Sequence, residues 1–115
     1  MKQIQLFKTL SDSTRLRILA LMSEHGELCV CELVHALRLS QPKVSRHLAS
    51  LRKVGLVSSR RHAQWIFYEL DPKMPVWERH IVDAAVVGIQ DETVIGADSR
   101  RLQMMENRPD HGRGQ

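Results

Sequence analysis

The sequence of 115 residues has only two cysteines, five aromatic residues and no long apolar run. No stretch is long enough to cross a membrane, and the N-terminus lacks the apolar core of a signal peptide, so we expect a cytoplasmic protein. A phosphate loop, a cofactor fingerprint and a zincin motif are all absent, and neither cysteine has a histidine or acid placed beside it as a base. We therefore predict that the chain is not an enzyme, and a thiol-dependent enzyme is the least favoured alternative.

Acidic residues are missing from one segment of the chain. Between Leu33 and Tyr68 there are seven Lys or Arg and no Asp or Glu, whereas the remaining 10 basic and 13 acidic residues leave the rest of the chain at −3. The overall formal charge of +4 is a weak signal by itself. A basic segment within an otherwise acidic chain indicates contact with the phosphates of a nucleic acid.

The run from Leu39 to Leu56 predicts one helix with a defined start and end. Ser40 is a favourable N-cap, and Pro42 is tolerated in the first turn, where amide groups have no helical partner. Gly55 is a natural left-handed residue for the C-terminus. Two helices joined by the short turn before Ser40 predict a helix-turn-helix with this second helix as the reader.

The predicted reader helix has two chemically different sides. Val44, Leu48 and Leu51 recur at helical spacing and form an apolar stripe for a core. The other side carries hydrogen-bonding or positive groups and no acid, which suits the DNA major groove; a solvated basic face is the alternative. With the hairpin tip that follows, the predicted DNA-contacting residues are Gln41, Lys43, Ser45, Arg46, His47, Ser50, Arg60 and Arg61.

The rest of the chain predicts a mainly α fold with a small β-hairpin, in the order α-α-α-α-β-β-α. Two helices precede Gly26, a third ends near Arg38, and period-two patterns after Gly55 predict a hairpin with its tip at residues 62–64. Basic residues at that tip suggest a wing on the sugar-phosphate backbone, with a solvated hairpin as the alternative. We expect residues 1–92 to form a winged helix-turn-helix domain that also dimerises.

The helix predicted from Val76 to about Ile89 is too apolar for a solvated surface. A second copy of the chain is its simplest cover, and a twofold dimer would match two DNA half-sites. The alternative is that this helix packs wholly within the monomer. For residues 93–115 we predict a tail that is partly disordered, with Asp98 capping a brief helix through Met105.

The two cysteines, Cys29 and Cys31, lie at the start of the predicted third helix. That position lowers thiol pKa values and favours the thiolates that bind soft ions. We expect reduced thiols, because cysteines two apart are too close for an unstrained structural disulfide. The alternative is that both cysteines act as small buried hydrophobic residues. Positions two apart on a regular helix point in different directions, so both sulfurs reach one ion only if the first turn is distorted.

These motifs resemble the ArsR/SmtB winged-helix repressors, and within them the arsenic-responsive ArsR branch. The similarity runs from about Gln3 to Asp91. It is carried by the runs LSDSTRL from Leu10, GELCVCEL from Gly26, SQPKVSRHL from Ser40, GL at Gly55 and WIFYEL from Trp65.

The resemblance implies a homodimer that represses a resistance operon and leaves its operator when trivalent arsenic or antimony binds Cys29 and Cys31. DNA binding would need no cofactor. Relatives of this branch carry a third cysteine where this chain has Val34, so His35, a small external thiol or a water would complete the ion's shell. A zinc- or cadmium-responsive or a redox-responsive repressor of the same fold is the alternative.

Other members of the resembled family place a zinc-type site on the last helix. Four residues of suitable type are present there, but their spacing does not match that pattern. We interpret them as solvated surface: Glu78, His80, Asp83 and Asp91.

Overall fold

A computed structural model describes residues 1–113 of the chain. Helices α1 to α6 and strands β1 to β3 alternate as α1-α2-β1-α3-α4-β2-β3-α5-α6. Their bounds are α1 Lys2–Leu10, α2 Ser13–His25, β1 Leu28–Cys29, α3 Val30–Leu37, α4 Gln41–Lys53, β2 Val57–His62, β3 Trp65–Leu70, α5 Val76–Ile89 and α6 Thr93–Gln103. The predicted winged helix-turn-helix is confirmed, and β1 and a longer α6 are added to the predicted order.

Helices α3 and α4 form the helix-turn-helix. Arg38 adopts a left-handed conformation (φ 56°) that ends α3, and the Ser40 hydroxyl accepts a hydrogen bond from the Lys43 amide at the start of α4. The apolar stripe of α4, Val44, Leu48 and Leu51, is fully buried against the core. This packing fixes which side of α4 remains outside.

The end of α4 turns the chain directly into the wing. Gly55 has φ +82°, and the Leu56 amide donates to the Leu51 carbonyl at 3.0 Å. This is the bond of a Schellman ending, in which the following apolar residue packs back on the helix. Leu56 is accordingly buried, and β2 begins at the next residue.

The wing is a three-stranded antiparallel sheet in the order β1-β3-β2. Strand β1 pairs Cys29 with Phe67, and β2 pairs Arg60 with the same residue from the other side. Strand β1 has only two residues, too few for a period-two pattern to be recognised in the sequence. It places Cys29 at the edge where the sheet meets α3.

Helix α6 is part of the folded unit, so the folded structure continues beyond residue 92. It begins at Thr93 and not at Asp98, and the expected capping role of Asp98 is wrong. The Asp98 carboxylate is buried and receives two hydrogen bonds of 2.8 Å from Arg17 and one of 2.7 Å from Arg101. The same two guanidinium groups donate to the carbonyls of Leu37 and Ala36, so α6 holds the C-terminal end of α3.

Among the four acidic and histidine residues interpreted as solvated surface, Glu78 is an exception. Its side chain is only 1% exposed and lies 3.2 Å from the Lys2 ammonium of α1, which corrects that interpretation. His80, Asp83 and Asp91 are exposed, and Asp83 pairs with Arg79 one turn earlier. Within residues 1–113 no helix is long and apolar enough to span a membrane.

We predict that Asp98→Asn destabilises the protein by about 3 kcal/mol, because it leaves two partly buried guanidinium groups without their counter-charge. Urea unfolding followed by circular dichroism measures the change. The matched control is Asp83→Asn, which removes a carboxylate from an exposed ion pair and should cost about 0.5 kcal/mol or less. Equal effects of the two substitutions would contradict a structural role for the Asp98 cluster.

Candidate nucleic-acid interface and thiol site

The outer side of α4 is a polar surface without acidic groups. Gln41, Lys43, Ser45, Arg46 and Ser50 are all exposed, as the sequence predicts for groove-facing residues. Apart from Ser50, whose hydroxyl donates to the Arg46 carbonyl of the preceding turn, their side chains leave hydrogen-bonding capacity on the outside. The geometry suits a helix that inserts into the major groove.

His47 differs from the other predicted DNA contacts because it is mostly enclosed. Its Nδ1 lies 3.3 Å from the Arg15 guanidinium and 3.9 Å from the Asp12 carboxylate. Burial and the nearby positive charges outweigh Asp12 and lower the pKa of His47, so the ring is neutral at pH 7. Burial also opposes ionisation of Asp12, but the hydrogen bond from the Arg15 amide and the charge of Arg15, with smaller contributions from neighbouring groups, together outweigh burial and lower the pKa of Asp12.

This arrangement gives His47 a place in the joint between α4 and α2. Asp12 is the N-cap of α2, and Arg15 also donates to the Thr9 carbonyl at the end of α1. The histidine therefore holds the reader helix against the first two helices, and its ring is turned away from the exposed side.

The two arginines of the wing point to opposite faces of β2. Arg61 is exposed and donates to the Ala63 carbonyl at the tip. Arg60 instead forms a bidentate pair with Glu27 at 2.6 and 2.7 Å, and it lies over the ring of Phe67. That hydrogen bond from Arg60 to Glu27 raises the pKa of Arg60.

The cysteine pair is oxidised in the structure, so the expectation of reduced thiols is wrong. Cys29 and Cys31 form a disulfide with a Cα–Cα distance of 5.4 Å. In a regular helix, side chains two positions apart diverge. Cys29 lies outside α3 with extended backbone angles (φ −83°, ψ 164°), and this turns its sulfur toward Cys31. Both sulfurs can therefore reach one point.

Cys29 and Glu32 form a reciprocal capping box at the start of α3. The Glu32 amide donates to Cys29 Sγ at 3.3 Å, and the Cys29 amide donates to the Glu32 carboxylate at 2.8 Å. Such a box satisfies two amide groups that the helix itself leaves without partners. A sulfur here takes the place of the usual hydroxyl.

The C-terminal segment after α6 crosses the wing and reaches this box. The Arg108 guanidinium donates to the fully buried Glu32 carboxylate at 2.5 Å, and His111 Nε2 lies 3.0 Å from the same group. Arg60 donates to the His111 carbonyl, and the His111 ring stacks at 4.3 Å on Phe67. The predicted partial disorder therefore does not extend to these residues, and 114–115 lie outside the described residues.

Glu27 forms ion pairs with Arg60 and Arg113 at the same place. Burial opposes its ionisation, but the Arg60 hydrogen bonds, together with the charge of Arg113 and a contact from His111, outweigh burial and lower the pKa of Glu27. The base of the wing and the C-terminal segment are thereby joined through two carboxylates, Glu27 and Glu32.

Cys29 and Cys31 both line one groove, which we call the thiol groove. Its volume is about 730 Å³, and it lies between α3, the first turns of α4 and the wing tip. Gln41 and Ser45 of the predicted DNA-reading surface form part of its wall, as do His35 and Gln64. Its apolar side chains are Val30, Val34, Trp65, Ile66, Tyr68 and Met105.

The donor set at this groove suits a soft ion but is incomplete. When reduced, two thiolates on one turn are suitable ligands for As(III) or Sb(III). His35 lines the groove, yet the described part of the chain holds no cluster of three or more His, Cys, Asp or Glu side chains able to bind a metal. The two sulfurs therefore supply two of the three bonds of a trivalent metalloid, and another group must supply the third.

Sequence reasoning missed the partners that hold the site in place. The spacing of Cys29 and Glu32 could have revealed the capping box, because it matches the known pattern with sulfur for oxygen. Nothing in the local sequence indicated that Arg108 and His111 would reach Glu32, or that Asp98 would meet Arg17, since these pairs are more than 70 residues apart.

Comparisons with known proteins agree with this geometry. The family model described as "Bacterial regulatory protein, arsR family" matches residues 12–59. The chain is 50% identical over 105 residues to the arsenic resistance transcriptional regulator ArsR1 of Pseudomonas putida, covering 90% of this chain and 79% of that protein. It is 56% identical over 82 residues to the arsenical resistance operon repressor of Escherichia coli, covering 71% and 70%.

A solved structure shows the same fold. Reduced HlyU from Vibrio cholerae superimposes with a TM-score of 0.64 at 37% identity, covering 72% of this chain and 83% of that chain. The matched family and these relatives are transcription regulators and not enzymes. The chain belongs to the ArsR family of bacterial regulatory proteins, and it is a winged-helix transcription regulator.

Proposed function

We propose that this protein is a metalloid-responsive transcriptional repressor that binds operator DNA as a homodimer and releases it when As(III) or Sb(III) binds Cys29 and Cys31. One observation carries the proposal. The two sulfurs and the first turns of the reader helix line the same groove, so a ligand on the sulfurs is in a position to disturb the DNA-reading surface. The resistance functions named for the two curated relatives support this reading.

DNA recognition would be shared between α4 and the wing. The exposed side chains of α4 would contact base edges and phosphates in the major groove, while Arg61 at the wing would meet the backbone. Arg60 and His47, which the sequence also suggests as contacts, would act by holding the wing and α4 in position. DNA binding requires no cofactor in this scheme.

Release would begin at the capping box. A metalloid bound to Cys29 Sγ would withdraw electron density from the sulfur that accepts the Glu32 amide, and Cys31 would supply the second sulfur. Loss of a helix cap costs about 0.5–2 kcal/mol, and coupling between two binding sites is typically about 1–3 kcal/mol. Weakening this one cap is therefore of the right magnitude to bias the position of α3, and of α4 after it.

The disulfide favours a second candidate, a redox-responsive repressor. In that case oxidation of the pair, and not metalloid binding, would set the DNA affinity. A zinc or cadmium response has less support, because structural sites for zinc use four ligands and the described residues supply two sulfurs without a larger cluster. Titrating arsenite, cadmium and peroxide against the operator complex of the reduced protein ranks the three responses.

We predict that Cys29→Ser and Cys31→Ser each leave operator binding within about threefold of the parent but abolish release by arsenite. Serine keeps the N-cap acceptor at residue 29, while one thiolate cannot chelate the ion. Mobility shift on the promoter upstream of the gene, with and without arsenite under reducing conditions, measures both effects. A variant that still releases DNA on arsenite addition would exclude the site.

Arg46→Ala should weaken operator binding by about 1–3 kcal/mol and relax specificity at one base pair if Arg46 reads a base. If Arg46 contacts only phosphate, the loss of affinity is the same for all DNA sequences, and the slope of log K against log salt concentration falls by about 1. Fluorescence anisotropy over a salt series separates the two roles. Lys73→Ala, an equal loss of charge at the exposed base of the wing, is the control and should leave binding unchanged.

The proposed dimer uses α1 and α5. Their exposed side chains include Ile4, Phe7, Trp77 and Val87, the last 61% exposed, and this much apolar surface on neighbouring helices requires a cover. Sedimentation equilibrium should give twice the chain mass of 13.2 kDa, and Val87→Glu should shift it toward the monomer. A parent protein that sediments as a monomer at DNA-binding concentrations would contradict the dimer.

A further inference from the structure

We infer that the thiol groove takes a monosubstituted organoarsenical, RAs(III), in preference to inorganic arsenite. This inference rests on the proposed function and specifies its ligand. Trivalent arsenic forms three bonds, and the groove supplies two sulfur ligands. In RAs(III) the third bond is already present as an arsenic–carbon bond, so the two sulfurs complete the coordination.

The walls of the groove match an organic substituent. Val30 and Val34 of α3 and Trp65 and Ile66 of β3 line the groove, with Met105 also contributing. A methyl or aryl group on arsenic would be removed from water among these side chains, whereas the hydroxyl of sulfur-bound inorganic arsenite would face apolar groups without gaining a ligand. The volume of about 730 Å³ lies within the usual range for small-molecule sites.

His35 is the main competitor for the third position. It follows Cys31 by four residues on α3, so both share one side of the helix, and His35 also lines the groove. An imidazole nitrogen is a poorer partner for arsenic than a thiolate or carbon, because arsenic is soft. A His35→Ala variant should therefore retain the preference for the organoarsenical.

The binding reaction proceeds on the reduced pair and balances without a redox change at arsenic. A dithiol first opens the disulfide by exchange, which leaves two protein thiols and the oxidised dithiol. With RAs(OH)₂, two As–S bonds then form and two As–O bonds break. Each thiol proton leaves with one hydroxide, so two waters are released and arsenic remains trivalent.

The test compares phenylarsenite with arsenite on the reduced full-length protein. Competition with dithiothreitol for each arsenical gives the two affinities. Binding is monitored by the change in tryptophan fluorescence, since Trp65 lines the groove. The reference compound is a synthetic peptide with the sequence of residues 27–35, which has the same two thiols but no groove. The peptide has no tryptophan, so its affinity is obtained from its competition with the protein for each compound. We expect the preference for phenylarsenite to exceed that of the peptide by about tenfold or more.

Two variants make the test specific. Ile66→Ser alters a wall residue that is 43% exposed and so spares the fold; it should reduce the preference while leaving arsenite affinity unchanged. Val34→Cys adds a third sulfur one turn after Cys31 and should raise arsenite affinity until the preference is lost. Equal preference in the protein and the peptide, or a preference unaffected by both substitutions, would overturn the inference.

Release of operator DNA separates this inference from the proposed function. If phenylarsenite releases DNA at concentrations where arsenite does not, the repressor function and the preference for an organoarsenical are both supported. If arsenite is at least as effective as phenylarsenite, the repressor function stands and the choice of ligand is wrong. If neither compound releases DNA from the reduced protein, the proposed function itself fails, whatever the binding preference.

Discussion

The buried carboxylate of Glu32 is the group on which the functional half of the molecule depends. Burying an acid is costly unless its oxygens are paired, and here they accept hydrogen bonds from the Cys29 amide and Arg108, with His111 Nε2 3.0 Å away. These contacts join the start of α3, the sheet and the C-terminal segment at one point. Because the same helix start is capped by a cysteine sulfur, chemistry at that sulfur acts on the joint itself.

Charge is distributed so that the reader helix keeps an outer surface free of acids. Glu27 and Glu32 flank the cysteines and pair with Arg60 and Arg108 within the fold. Lys43 and Arg46 on the outer side of α4 have no such acidic partner nearby in sequence, and they remain exposed. Positive charge near the sulfurs is thus internal and structural, while positive charge on α4 is available to a polyanion.

Two clusters hold α3 at its two ends, and this explains how a small change is transmitted. Glu32 and its partners hold the first turn, whereas Asp98 and two arginines hold the carbonyls of the last turn. Helix α4 begins four residues after α3 ends, and its stripe is close-packed in the core. In the proposed function, a rearrangement at the start of α3 would therefore be passed to α4 through this short connection and the packed core.

The sequence alone determined the local structure, because period, caps and charge are local properties. It predicted the capped α4 with its buried stripe, the hairpin and the α5 span. Tertiary structure decided what depends on distant partners. It paired the cysteines by placing Cys29 on a strand, enclosed His47 between α2 and α4, buried Glu78 and brought the C-terminal segment onto Glu32. Such contacts join residues 30 to 80 positions apart, and no local pattern encodes them, because they form only when the core has packed.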